Sequence, residues 1–509
     1  MKSDQERMRL EIIACGTVRV TLKIMAVHLR SVECQLRAVG VLFNLTGDDC
    51  YRWVVQSRSG AVGQVLEAMR THDGAPDVIW NAAGALCNMS GDAAGRVRMA
   101  ELGAAPLLLA ALRAHGGCHD VARNACGALR NVSSDVPARP GLLGGDAVVI
   151  AGEVLKLHSG SVEVVRNVAG LAWYLSEEPA GRTAIGESDC LPALISSMDV
   201  HCGDADVQMR VLACAAHLAA DPVTRPVLVS HGARFMSLVA SAMRRHVHAV
   251  DVVWRAGAVL ASMGRDGRET RARIVAAGCM ELVMRGMVEY PLSIMVQSHM
   301  VTALAHICLD VDARVAAMES VPMILAAMRS MLFHLHTAKY ACAAIYQLVT
   351  EAPARGMILD KGLIPPLVEL MRAHVRDNAV AWRACGVLET ITRDPEWRGS
   401  VPQECVECVV AFMLAHRALA AVQWRCCGTL VRASDSCVFC ATALYASGAA
   451  CASLGGCAAC TVSHFRRRHP ACSHPWCKRF GACGDCYAGA RGRCRGAREG
   501  CRVCFQLHN

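Results

Sequence analysis

Apolar residues recur at three- and four-residue steps through the first 434 positions, in stretches broken by Gly or Asp turns. No alternating strand pattern interrupts them, so every segment is expected to be helical. One phrase returns: Gly40-Val-Leu-Phe-Asn44-Leu-Thr, Gly84-Ala-Leu-Cys-Asn88-Met-Ser and Gly127-Ala-Leu-Arg-Asn131-Val-Ser. Weaker copies centre on Tyr174, His217, Ser262, His306, Gln347, Thr390 and Arg432, with steps of 41 to 45 residues between successive copies. A second phrase keeps the same beat, an apolar helix closing on His: Met69-Arg-Thr-His72, Leu112-Arg-Ala-His115, Leu155-Lys-Leu-His158, Met371-Arg-Ala-His374 and Met413-Leu-Ala-His416. A period near 43 with short, medium and long helical stretches in each unit predicts an all-α repeat array.

The long stretch ending in ALxNxS, at that period, resembles the armadillo repeat over about 85% of the chain, residues 1–434. The resemblance implies a right-handed α-solenoid of about ten repeats whose third helices line a concave groove. Each repeat would bury its faces only against its neighbours. Gly40, Gly84, Gly127, Gly170, Gly386 and Gly428 stand just before the Asn position. They are expected to let helices approach closely, at a propensity cost of about 1 kcal/mol each.

Seven residues before the Asn position, two turns along the same helix face, runs a second row. It reads Arg37, Asn81, Asn124, Asn167, Arg210, Arg255, His299, Tyr340, Arg383 and Arg425. Amide side chains both donate and accept, as a peptide backbone does. Helices stacked about 10 Å apart match about three residues of extended chain. Asn44, Asn81, Asn88, Asn124, Asn131, Asn167, Arg210 and Arg255 are therefore candidates to hold an extended partner peptide. The alternative is that these amides cap turns or bond neighbouring repeats. The ladder resembles those of importin-α and β-catenin. Importin-α-like arrays carry Trp four residues before Asn, where this chain has Gly, so a basic nuclear-localisation peptide is not the expected ligand. The arginines of the second row, Arg210, Arg255, Arg383 and Arg425, favour an acidic or phosphorylated partner.

Three other patterns are expected to be structural. Asn44-Leu-Thr, Asn88-Met-Ser and Asn131-Val-Ser are formal glycosylation sequons, but they arise from the repeat phrase on helices. The recurring His lie about one helix spacing apart, too far to share a zinc ion, and are expected to favour helix C-termini by their partial positive charge. Cys87, Cys126, Cys214, Cys342 and Cys385 are expected to act as small buried fillers.

Composition sharpens one boundary. The 509 residues are 53% hydrophobic and 5% aromatic, which excludes general disorder and demands a core of small aliphatic side chains. Of 29 cysteines, 12 fall in residues 435–509, together with ten Lys or Arg against three acids; most of the net +9 belongs to this tail. The charged opening, Met1 to Leu10, lacks the apolar run of a signal peptide, so a reducing compartment, cytoplasmic or nuclear, is expected. There, clustered thiols point to metal.

The tail holds four C-x-x-C pairs: Cys437/Cys440, Cys457/Cys460, Cys483/Cys486 and Cys501/Cys504. Such spacing brings two thiolates to one ion from a tight turn, and twelve cysteines serve two or three zinc ions. Cys472, His474 and Cys477 complete the candidate ligands. Cys457-x-x-Cys460 followed by Cys472-x-His474-x-x-Cys477 resembles the start of a RING finger, although Phe480 stands where the next Cys is due. Cys437/Cys440 with Cys457/Cys460 resembles a MYND finger without its closing His-x-x-x-Cys. The thirty uncharged residues Ser436 to Phe465 are too poor in Leu and Ile to predict a membrane span. Arg466-Arg-Arg468 and Arg491-Gly-Arg-Cys-Arg495 leave nucleic acid open as a tail ligand. No phosphate loop, HExxH, GxSxG or kinase signature is present. The expectation is a non-enzymatic adaptor with a peptide groove and a zinc-bound tail. The alternative is a ubiquitin ligase whose tail recruits a conjugating enzyme.

Overall fold

Long helices begin where the sequence supplies a cap. Ser31, Ser161 and Ser293 accept from the backbone N–H three residues on, and Asp204 and Asp377 do the same for their helices. Pro76 opens another at its first turn. The computed structural model describes residues 11–48, 52, 60–144 and 146–434; the segment 435–509, with its boundary and all its candidate zinc ligands, lies outside them. Among the described residues there is no strand.

The chain divides into two compact units, Met1–Ala317 and Met318–Asn509. In the first, the long helices are Val32–Thr46, Pro76–Met89, His119–Ser133, Val162–Ser176, Ala205–Ala220, Val250–Met263 and Ile294–Ile307. Each packs on the next in chain order. In the second they are Leu335–Leu348, Asn378–Ile391 and Ala420–Ser434, stacked likewise. These carry the Asn-position residues. Before each except Val250–Met263 comes a shorter helix, such as Ala61–Thr71, Ala104–His115 and Ile364–Ala373. Several of these start from a residue in the left-handed region: Gly60 at φ 106°, Gly103 at 69° and Gly278 at 75°, with Asp146 at 59° as the non-glycine exception.

The core is aliphatic. Phe235 and Phe412 apart, the largest fully buried side chains are Met, Leu and Ile. That accounts for the aromatic shortage: helices in contact at every turn leave room for Ala, Val and Leu, and few places for a ring. Cys126, Cys214, Cys342 and Cys385 are buried fillers as expected, while Cys87 is half-buried. Burial pushes the Cys126, Cys214 and Cys342 thiols up to about 12. The row glycines divide. A Cβ on Gly84 would lie 2.7 Å from the Phe43 ring, and one on Gly127 2.7 Å from Cys87 Sγ. At Gly40 the nearest atom would be 3.7 Å away, so close approach does not explain that glycine.

The histidine row closes helices and also bonds across repeats. His72, His115, His158, His201 and His246 each place Nε2 on a carbonyl of the preceding repeat's turn, Leu29, Asp73, Gly116, Ser159 and Cys202, at 2.5–2.8 Å. Tyr290 substitutes at its own step, its hydroxyl donating to the Val247 carbonyl at 3.0 Å. In the second unit His374 and His416 repeat the contact on Leu332 and Val375. Since a carbonyl only accepts, Nε2 must carry the proton. The row thus stands at helix C-termini, as expected, and in addition staples neighbouring repeats.

Candidate partner-binding face

The long helices of the first unit bring the two sequence rows onto one face, and the amide nitrogens on it turn back into the fold. Asn88 Nδ2 donates to the Phe43 carbonyl at 3.3 Å and Thr46 Oγ1 at 3.4 Å. Asn131 Nδ2 repeats this on Cys87 and Ser90, at 3.4 and 3.0 Å. Asn124 Nδ2 donates to the Trp80 carbonyl at 3.4 Å and Asn167 Nδ2 to that of Arg123 at 2.9 Å. The alternative weighed above, bonding between neighbouring repeats, is thus what these four nitrogens do. Asn44 is exposed and Asn81 half-buried, and neither side chain makes a hydrogen bond among the described residues. Three of the four amide oxygens are engaged as well, Asn124 Oδ1 by Arg123 and those of Asn131 and Asn167 by Arg130, so what the face offers a partner is chiefly Asn44, Asn81 and the Asn88 oxygen.

The arginines of the second row carry their own counter-charges. Arg210 forks onto Asp206 at 3.0 and 2.9 Å, one helical turn earlier. Arg255 is 8% exposed and reaches Asp251 at 2.6 Å. In the second unit Arg425 pairs with the buried Glu389 at 2.6 Å, and Arg383 lies over the Tyr340 ring. Three of the four cations expected to attract an acidic partner are therefore neutralised internally. The neighbouring acids respond: Arg255 holds the Asp251 carboxyl below the usual carboxylate range, and Arg166 does the same for Asp204.

Several face residues were not singled out from the sequence. Tryptophan does line the face, in a different register from the one sought: Trp80 and Trp254 stand one residue before the second row, and Trp173 one before the Asn position. Arg255 sits between the rings of Trp173 and Trp254, at 5.1 and 4.2 Å, and Trp254 in turn stacks on His299. A further periodic set, Arg96, Arg139, Arg182 and Arg225, spaced by 43 residues, caps the C-terminal carbonyls of the preceding long helices. Its regular spacing is the sequence signal that would have found it. Arg130 had no such signal, since the equivalent positions hold Phe43, Cys87 and Trp173.

Among solved structures, one of the cadherin–β-catenin interaction, described as controlled by a phosphorylation switch, superposes with a TM-score of 0.73. It is 15% identical and covers 88% of this chain and 94% of its own. A crystal structure of an engineered protein superposes with a TM-score of 0.65 at 20% identity, over 82% of this chain and 98% of its own. The fold is an armadillo-like helical solenoid. No protein-family model and no curated protein matches the sequence. Among the described residues of the solenoid, no group of three or more His, Cys, Asp or Glu is placed to hold a metal ion. No described helix is long and apolar enough to cross a membrane. Cys437, Cys440, Cys457, Cys460, Cys472, His474, Cys477, Cys483, Cys486, Cys501 and Cys504 lie outside the described residues.

Proposed function

We propose that this chain is a protein-binding adaptor that holds an extended segment of a partner along the face of its long helices. The observation that carries the reading is the pair of uncommitted amides, Asn44 and Asn81, beside half-buried aromatic rings on stacked helices. Core packing has no use for such amides, and a peptide backbone matches their donor and acceptor together. The seven long helices stacked in the first unit would give a groove long enough for a peptide of many residues. The likeness to a cadherin–β-catenin structure supports the same reading at the level of fold.

The structure dictates which variants test it. Asn88→Ala and Asn131→Ala break bonds between repeats and so confound binding with stability. Asn44→Ala with Asn81→Ala removes no internal hydrogen bond. Partners captured from native cell extract by the full chain should be lost from this double variant, by about tenfold or more, while its thermal melt is unchanged. Undiminished capture would sink the reading.

The cysteine-rich segment 435–509 is proposed as a second contact held by zinc, on the support of its C-x-x-C spacing alone. Metal analysis should find two or three zinc ions per chain. The partial RING pattern of Cys457, Cys460, Cys472, His474 and Cys477 supports ubiquitin ligation as a second reading. Chain formation with ubiquitin, its activating enzyme and a panel of conjugating enzymes would replace the adaptor by the ligase. A cytoplasmic or nuclear setting fits both.

A further inference from the structure

Two guanidinium groups converge over the helix Val162–Ser176. Arg130 comes from the helix before it, His119–Ser133, and Arg210 from the helix after it, Ala205–Ala220. The point that a Cβ on Gly170 would occupy lies 2.6 Å from Arg210 Nη1 and 2.7 Å from Arg130 Cδ. Glycine at 170 is what lets both side chains lie across the middle helix.

The two cations are not neutralised alike. Arg210 has the Asp206 carboxylate, which also stands 3.8 Å from Arg166. Arg130 has no carboxylate partner among the described residues. Its Nε and Nη2 donate to Asn131 Oδ1 at 3.2 and 2.8 Å, and its Nη1 donates to Asn167 Oδ1 at 2.8 Å. Amide oxygens fix the orientation of a guanidinium without cancelling its charge. Burial first, and then the nearby Arg210, hold the Arg130 guanidinium below the ordinary arginine range, the direction expected of a cation short of counter-charge. The amide ladder thus has a second use here: while its nitrogens staple repeats, two of its oxygens aim a cation.

We propose that Arg130 and Arg210 form an oxyanion subsite on this face, taking one carboxylate or phosphate side chain of an extended peptide. The proposal rests on the peptide-binding reading above and names a chemistry for one of its positions. A lone oxyanion completes the charge balance and finds donors already placed in a partly desolvated setting, where charge-assisted bonds are strongest. A polyanion such as nucleic acid fits poorly, because Asp120, Glu163, Asp206 and Asp251 stand in the first turns of the successive long helices, where a continuous run of phosphates along the face would meet them. Tyr174, half-buried one turn beyond Gly170 on the same helix, carries a further hydroxyl.

The test uses the full chain and immobilised pools of 15-residue peptides, random except for a central Glu, phosphoserine, Lys or Ala. Glu- or phosphoserine-centred pools should retain about tenfold more protein than the Lys-centred pool. The larger of the two signals tells whether a carboxylate or a phosphate is preferred. Arg130→Gln should erase that preference while its melting curve stays close to the parent's. Arg130→Lys, which keeps charge but loses the fork between Asn131 and Asn167, should retain part of it and serves if the Gln variant is unstable. Retention of protein without an anion preference, or a preference unchanged in Arg130→Gln, overturns the subsite alone. Retention by no pool overturns the peptide-binding reading with it.

Discussion

Arg130 in the first unit and Arg425 in the second are half-buried or buried cations on long helices of the same repeat type, yet they meet opposite surroundings. Arg425 donates to Glu389 at 2.6 Å and to the Tyr346 hydroxyl at 2.8 Å, with the rings of Tyr346, Trp382 and Trp424 within 4.7–5.3 Å of its guanidinium. Its charge is matched internally, although its buried Nε has no hydrogen-bond partner among the described residues. Arg130 is held by amide oxygens and remains uncompensated. A repeat array therefore does not repeat its surface chemistry: one backbone frame lets one unit use a cation as structural cement and the other keep one in reserve.

The strongest way to break this contrast is to remove the counter-charge. Glu389→Gln would strand a buried guanidinium, and the second unit should lose about 3–5 kcal/mol in urea unfolding followed by circular dichroism. Adding Arg425→Met should restore much of the loss, because the pair's value lies mainly in not being broken. A small loss from Glu389→Gln alone would show that water reaches Arg425 and that the two units differ less than their geometry says.

Glycine substitution probes the same contrast more gently. Gly170→Ala forces a methyl against Arg130 and Arg210, costing about 1 kcal/mol after the helix-propensity gain and weakening anion preference. Gly428, whose added Cβ would meet Glu389 no closer than 3.4 Å, should accept Ala with little change. Equal melting shifts for the two variants would deny that the guanidiniums of the first unit are crowded over Gly170.

The smallest effect expected is on acid stability. Arg166 depresses the folded-state pKa of Asp204, a group that also caps its helix at the Val207 N–H. A depressed carboxylate contributes stability that is fully present above its unfolded value, about 3.9, and is lost as pH falls through the lower folded value. Asp204→Asn keeps the cap and should flatten the stability profile of the first unit below about pH 4, by no more than roughly 1 kcal/mol, since Arg166 is 40% exposed. An unchanged acid limb would mean that this ion pair is solvated away.

Much of the fold was legible along the chain. The period near 43, the Gly and Asp turns between segments and the Asn rows are local patterns, so a linear reading finds them. The tertiary structure supplied what lies one period away. The His row and its place at helix C-termini were visible, but its carbonyl partners are 41 to 44 residues upstream, where no local pattern points. The Asn row was visible too, and the direction of its nitrogens was not.

By itself the sequence determined an all-helical repeat array and a small-residue core, because both follow from residue size and periodicity. It also marked residues 435–509 as a separate cysteine-rich segment, because that is a matter of composition. Only the tertiary structure decided which polar side chains are spent on holding repeats together and which remain for a partner. Hydrogen bonds and ion pairs are settled by which groups meet in space. Here they meet across helices whose contacts no local pattern encodes, which is why Arg210 and Arg255 read as open cations in the sequence and Arg130 did not.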